Sequence, residues 1–424
     1  MWRSEVYGSY EVDVNTYNIF LLYNYSQGTL TSHGDSWSTI RNFTVKNLSS
    51  LGFGKKCMEP FILPDIEELV DSLSKEVGNR VDFKDKFYTP VTNHLWNILT
   101  GEEIRDKKFF RETLTSLHRS LWQPIGNSIW FLPWLTELFP GLTGLNWIKN
   151  DPSLLHNEVK RQTKNNASDS SLNENLVKIF LKEIQKTEGD EGSHFHKNKG
   201  DNHMKGTIIN FYFTAAEAMT NTLNWALLYL SLYPETQEKL ADEILAVIGS
   251  ERSPSLEDLI NMPYTKAVMQ EVLRISSTSP FSNFQMTTQD VTFETYFIPK
   301  NTIILANLYG IHHDPNSYPE PEIFNPDRFL DETRSRDAPP PFLPFSVGLR
   351  SCPGQTFARN VFFLLLVSLC QKFEFRWDPN VEKPSSDFLT EKCNVSFLRF
   401  TPKFKLVLGW REKFGSIRRM SAAA

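Results

Sequence analysis

The segment Phe345-Ser346-Val347-Gly348-Leu349-Arg350-Ser351-Cys352-Pro353-Gly354 gathers the residue types that a metal-ligating cysteine needs. Cys352 stands where coil gives way to a helix expected from about Gln355, and a helix N-terminus favours a thiolate and lowers its pKa. Gly348 lets the loop turn with positive φ, and Gly354 lets backbone amides approach the sulfur. Arg350 supplies a fixed cation for the anionic edge of a cofactor, and Phe345 shields the sulfur from water. The competing reading is an inert buried cysteine at a helix start.

Two other stretches place charge at defined spacing. Glu271-Val272-Leu273-Arg274 puts acid and base at i,i+3 on one helix face, which taken alone is a solvated surface pair. Phe324-Asn325-Pro326-Asp327-Arg328-Phe329 carries a further arginine. The histidines are poorer candidates. His312 and His313 read as capping and packing a turn, while His194, His196 and His203 fall in a Gly/Lys/Asp-rich stretch that reads as a flexible loop. Cys57, Cys352, Cys370 and Cys393 are too scattered for a disulfide scaffold, and no CxxC is present for zinc.

With every defining position filled, the Phe345–Gly354 segment resembles FxxGxRxCxG, the haem-binding loop of the cytochromes P-450. Five fixed residue types at fixed spacing arise by chance in about 10⁻⁴ of chains this size. In the same order along the chain, Glu271–Arg274 resembles the family's ExxR helix and Phe324–Phe329 its FxPxRF element. The resemblance implies that Arg328 joins Glu271 and Arg274 in a buried ion network that locks the cysteine loop. Trp37-Ser38-Thr39-Ile40-Arg41 is similar to the WxxxR helix whose Trp and Arg contact a haem propionate, and Asn307–Pro315 to the connector before a proline-rich coil.

What the resemblance implies is specific. The cofactor is haem b (iron protoporphyrin IX), with Cys352 as metal ligand and Trp37, Arg41, Phe345, Gly348, Arg350 and Gly354 as haem-binding residues. The reaction inserts one oxygen atom from O2 into an apolar small molecule. Electrons come from NADPH–cytochrome P-450 reductase or a cytochrome b-type donor, at the cytoplasmic face of the endoplasmic reticulum membrane. Pocket residues are Phe213, Thr214, Ala215, Glu217 and Ala218, with Thr278 to Phe284 and the region around Phe397. Trp130, Phe131, Trp134 and Leu135 form an apolar, proline-broken patch where the family dips into the membrane, and burial in the core is the competing account.

Three departures qualify it. The family's small-Gly-x-acid-Thr motif delivers protons to dioxygen, and here it reads Thr214-Ala215-Ala216-Glu217-Ala218-Met219: the acid Glu217 remains, but Ala218 replaces the threonine. Thr214 and Thr222 lie one turn away on the same face as possible water holders, and Glu217 itself has the alternative reading of a surface carboxylate. Gln285 sits where a His or Arg meets a propionate, which shifts haem anchoring towards Arg41 and Arg350. The resemblance begins at about Gly28, so the anchor and most of the first sheet strands of microsomal members are expected to be missing, with sheet edges left open. Two alternatives therefore stand beside monooxygenation: a haem-thiolate isomerase or dehydratase acting on a peroxide, and a degenerate non-catalytic haem binder.

The elements that must position these residues read as mainly α with small β-sheets (α+β), in a single domain over residues 1–424 with the cytochrome P-450 fold. Helical spacing covers Trp37 to about Lys56, Pro64 to Lys75, a run to about Leu121, and Leu176 to Lys186. It returns over Thr207 to Leu232, Glu235 to Ile248, Tyr264 to Ile275, and about Gln355 to Lys372. Thr163–Asn175 and Thr187–His203 read as surface loops, and short β-rich runs fall at Asp290–Phe293, Tyr296–Ile298 and Thr302–Ala306. Strand-like runs then lead to Leu408. The net charge of -5 argues against nucleic-acid binding, which calls for a basic excess. The chain opens without the basic start and apolar run of a signal peptide, and Val361–Cys370 is half the length a spanning helix needs.

Overall fold

The computed structural model of the chain describes residues 27–30, 32–104, 145–169, 171–283, 285–330, 341–384 and 398–411, with positions 106, 108, 110, 112, 138 and 139 besides. Apolar residues at helical spacing decide the first elements. Helix α1 (Gly34–Ser50) buries Ile40, Thr44 and Leu48, four residues apart. Helix α2 (Glu59–Ser74) opens with Pro60 in its first turn, where no N–H is missed, and buries Ile62, Ile66, Leu69 and Leu73. Strand β1 (Arg80–Val81) and helix α3 (Tyr88–Thr100) follow, the helix ending at Gly101 in the left-handed region. Next come α4 (Leu145–Ser168) and α5 (Leu176–Lys186), whose Asn175 cap accepts the Lys178 N–H at 3.0 Å.

The centre of the fold is α6 (Lys197–Leu232), 36 residues long and buried nearly all round from Met219 to Ser231. A helix with no polar face must run through a core, and α3, α5 and α4 pack on it. Helices α7 (Pro234–Val247) and α8 (Pro263–Ser276) each begin on proline. The short strands are β2 (Gln285–Met286), β3 (Val291–Phe293), β4 (Tyr296–Ile298) and β5 (Ile303–Ile304), then helix α9 (Leu308–His312). Helix α10 (Gln355–Lys372) passes straight into β6 (Phe373–Trp377), which pairs with β7 (Leu406–Trp410). Among the described residues three antiparallel sheets result, β1-β7-β6, β2-β5 and β3-β4. This is the helix-rich, small-sheet architecture expected.

Both polar stretches read as loops are helical in part. Helix α4 continues to Ser168 because Asn166 is buried and donates to the Thr100 carbonyl at 2.8 Å, a tertiary bond that local composition does not reveal. Helix α6 starts at Lys197 rather than Thr207, and Phe195 and His203 are buried. The His194/His196/His203 stretch is therefore no flexible loop. His203 accepts the Gly28 N–H at 3.3 Å and meets the Ser36 hydroxyl at 3.0 Å, with burial lowering its pKa to about 4. Among the described residues no group of three or more His, Cys, Asp or Glu could hold a metal ion, and no helix is long and apolar enough to cross a membrane. The run expected to reach Leu121 comprises β1 and α3 as far as Thr100; positions 113–121 lie outside the described residues. Trp130, Phe131, Trp134, Leu135, Phe284 and Phe397 lie outside them too.

A close backbone crossing docks the segment before α1 on the central helix. A Cβ at Gly206 would lie 1.8 Å from the Gln27 carbonyl oxygen, so only glycine fits there. Asn210, one turn on, accepts the Leu30 N–H at 3.2 Å.

Glu271, Arg274 and Arg328 form the buried cluster that the resemblance implies. Arg274 grips the Glu271 carboxylate with two N–H groups at 2.7 Å, and Arg328 Nε reaches the same carboxylate at 3.0 Å. The Asn325 N–H adds a fourth donor at 2.9 Å. Carbonyls of His312, Pro319, Glu320 and Ile323 take further guanidinium N–H groups. The surface-pair reading of Glu271 and Arg274 fails, since both are fully buried. With two cations around one anion, losing the carboxylate is worse than losing either arginine. Removing one partner of a buried pair costs about 3–5 kcal/mol. Glu271→Ala should therefore lower unfolding free energy by about that amount and exceed Arg328→Ala, as read by denaturant titration; a loss within about 0.5 kcal/mol would contradict a buried, charged cluster.

Candidate functional site

The cysteine loop is built from backbone bonds. Ser346 N–H donates to the Leu343 carbonyl at 3.0 Å, Ser351 N–H to Gly348 at 3.1 Å, and Cys352 N–H to Phe345 at 2.9 Å. Gly348 takes φ +78°, as expected, and Ser346 shares the left-handed region at +58°. Gly354 then opens α10, its carbonyl accepting Ala358 N–H at 2.8 Å. Its φ is ordinary, and a Cβ there would stand 3.9 Å from the Cys352 sulfur and from the Phe53 ring, which is normal contact. Close approach within the protein is thus not what requires glycine at 354.

Cys352 is accessible on one side, while packed protein desolvates its sulfur on the others. That desolvation corrects the expected pKa: burial pushes the thiol up, outweighing the downward pulls of the Gly354 amide and the Arg41 cation. A protein-only environment keeps this sulfur neutral, and a coordinated metal ion is what deprotonates such a thiol outright. Cys370, fully buried in α10 with its thiol pushed up to about 12, is the inert kind. Phe53 lies stacked on Phe357 at 4.6 Å beside the loop, and Arg359 lies over the half-buried Phe345 ring at 5.1 Å.

Three more expected residues converge on the same place. The Arg350 guanidinium lies over the Trp37 ring at 3.9 Å, and Arg41 stands 5.5 Å from the same ring. Arg350 donates to the Ser32 carbonyl at 3.1 Å, Trp37 to Thr29 at 3.1 Å, and Arg41 to the Ser351 carbonyl next to Cys352. Burial lowers the Arg41 pKa, with Cys352 pulling it back. Two cations and a soft sulfur donor within one loop–helix junction fit an anionic macrocycle carrying iron. Gln285, by contrast, is a half-buried residue of β2 paired with Ile304.

On α6 the Thr214–Ala218–Thr222 row is the less covered face, with Thr214 exposed and Ala218 half-buried. Both threonine hydroxyls donate back into the helix, Thr214 to Asn210 O at 2.7 Å and Thr222 to Ala218 O at 2.8 Å. Thr222 also meets the Thr278 hydroxyl at 3.1 Å. Glu217 is no surface carboxylate: it is 3% exposed, and Tyr88 of α3 donates its hydroxyl to it at 3.1 Å. Desolvation and Glu217 together hold the Tyr88 hydroxyl protonated, well above the usual phenol range. Tyr88 and Phe53 escaped sequence reasoning, since a tyrosine at a helix start and a phenylalanine after Gly52 carry no local signal.

The comparisons with known proteins bear on the whole chain. The family model described as Cytochrome P450 matches residues 4–408. Human cytochrome P450 2J2 is 34% identical over 370 residues, covering 85% of this chain and 72% of that protein. Cytochrome P450 2J1 of Oryctolagus cuniculus is 33% identical over 385 residues (87% and 72% covered), and cytochrome P450 2K4 of Oncorhynchus mykiss 32% over 385 (87% and 73%). With a family match across nearly its full length, relatives above 30% identity and the cysteine loop in place, this chain belongs to the cytochrome P450 family of haem b monooxygenases, which work with a redox partner on a small-molecule substrate.

Proposed function

We propose that Cys352 is the iron ligand of haem b and that the protein oxygenates an apolar small molecule, with electrons supplied by NADPH–cytochrome P-450 reductase or a cytochrome b-type donor. The observation that carries this reading is the exposed Cys352 beside Arg41, Arg350 and Trp37. Haem held by a thiolate supplies dioxygen activation, the sulfur's electron donation favouring O–O cleavage. Arg41 and Arg350 would hold the carboxylates of the macrocycle, and Phe53 with Phe345 would keep water from the sulfur. The reading takes residues 1–424 as one haem domain. In the reduced, CO-bound protein the wild type should give the red-shifted Soret band of thiolate ligation, and Cys352→Ala should abolish it. A variant that keeps the band would overturn the assignment.

Glu217, the acid that would supply a proton, accepts the Tyr88 hydroxyl on the α3 side of α6. Ala218 offers no hydroxyl to pass it on, and the Thr214 hydroxyl is the accessible one on that face. General-acid help of this kind is worth about 10²- to 10⁴-fold. Ala218→Thr should therefore lower the hydrogen peroxide released per NADPH consumed and raise product per NADPH, while Glu217→Ala lowers turnover. Unchanged coupling in Ala218→Thr would point to another proton route. The second reading, an isomerase or dehydratase acting on a peroxide, needs no proton relay and so tolerates Ala218; it would turn over peroxides without any reductase.

The reading places the protein at the cytoplasmic face of the endoplasmic reticulum membrane, as in microsomal relatives, with Trp130, Phe131, Trp134 and Leu135 as the contact. Sedimentation with liposomes checks this. Binding should be weakened by Trp134→Ser; a variant altered only in stability would assign that patch to the core.

A further inference from the structure

His312, the last residue of α9, joins two separate parts of the fold through its ring. Its side chain is 1% exposed. On one side the Ser277 hydroxyl donates to the Arg274 carbonyl at 2.7 Å, which uses the only proton that hydroxyl has. In the 3.0 Å contact between Ser277 Oγ and His312 Nδ1, the ring must therefore be the donor. On the other side Leu343 N–H donates to His312 Nε2 at 2.9 Å, so that nitrogen must be bare. Both ends select one species, the neutral Nδ1–H tautomer. Burial first and Arg274 second lower its pKa to about 4, which agrees.

The two ends belong to different parts of the site. Arg274 is a member of the Glu271 cluster and also donates to the His312 carbonyl at 2.9 Å. The Leu343 carbonyl accepts Ser346 N–H, and Phe345, two residues on, receives Cys352 N–H. The backbone of Leu343 is thus held by His312 at its N–H and by the loop at its carbonyl. The loop is also tied by Arg41, which donates to the Ser351 carbonyl, and by Arg350, which donates to the Ser32 carbonyl. Tyr318, over which the Arg274 guanidinium lies, donates to the Pro341 carbonyl at 3.1 Å, a second and more distant tie.

We propose that the His312 imidazole is the positioning residue that couples the Glu271–Arg274–Arg328 cluster to the cysteine loop, fixing where the Cys352 sulfur is presented. The cluster does not itself bond Cys352; the imidazole links the two through Arg274 and Leu343. The inference rests on Cys352 being the iron ligand.

The test uses the full-length protein reconstituted with haem and compares wild type, His312→Ala and His312→Gln. Haem loss to excess apomyoglobin is timed, and the share of the reduced CO complex with the thiolate-type band is read from its spectrum. Leaving a buried N–H without a partner should make His312→Ala lose haem about tenfold faster and lower its thiolate-type share. His312→Gln, whose amide oxygen can accept from Leu343 N–H, should recover most of both. Wild-type values in His312→Ala, or a Gln variant as impaired as Ala, overturn the proposal. If His312→Ala does not fold, Ser277→Ala removes the acceptor that selects the tautomer: a smaller loss in the same direction supports coupling, and no change overturns it. A wild type that binds haem without the thiolate-type band would instead sink the Cys352 assignment, whereas a normal band indifferent to His312 sinks only this inference.

Discussion

One carboxylate shared by two guanidiniums, out of reach of water, constrains the rest of the site. Glu271 lies at 0% exposure with Arg274 and Arg328 on its oxygens. Such a group is expensive to bury and tolerable only with each partner in place. That requirement joins α8 to the 3₁₀ turn Pro326–Phe329 and to the carbonyls of Pro319, Glu320, Ile323 and His312, which accept the remaining N–H groups. Those segments have little regular structure of their own. Charge satisfaction, more than sheet or helix ladders, gives them one arrangement.

Against this rigid back stands a loop whose own bonds are few and local. Two left-handed residues, Ser346 and Gly348, turn it, and α10 carries it into the core, where Val361–Gln371 is buried. The sulfur then sits where desolvation outweighs the amide and the cation near it. A helix N-terminus argument alone gives the wrong direction for the thiol, because it counts the dipole and omits the packing. On α6, Glu217 is kept by Tyr88 on one face, while on the neighbouring face Ala218 contributes no hydroxyl between those of Thr214 and Thr222.

How far the residues revealed all this depended on the range of the forces involved. Helix α10 was legible to the residue, since its apolar run is bounded by Gly354 and by the β-rich Phe373–Trp377. The cysteine loop was legible as a fixed local spacing, whereas the ion cluster and the Trp37/Arg41 pair were legible only through the resemblance to the cytochromes P-450, because Arg328 reaches Glu271 from 57 residues away. The helix end at Ser168 and the helix start at Lys197 were not, because the bond of Asn166 to Thr100 and the crossing of Gln27 over Gly206 come from distant chain. For the same reason Tyr88, Phe53 and the bonding of His312 were invisible: each acquires meaning from a partner tens to hundreds of residues away.

The central claim is that the Cys352 sulfur holds the haem iron. Iron X-ray absorption on the haem-loaded wild type and Cys352→Ser reads the ligand directly, without need of a substrate. The account predicts one sulfur scatterer on iron in the wild type, replaced by oxygen or nitrogen in the variant. A wild type with no sulfur on iron, or a variant that retains one, would contradict it.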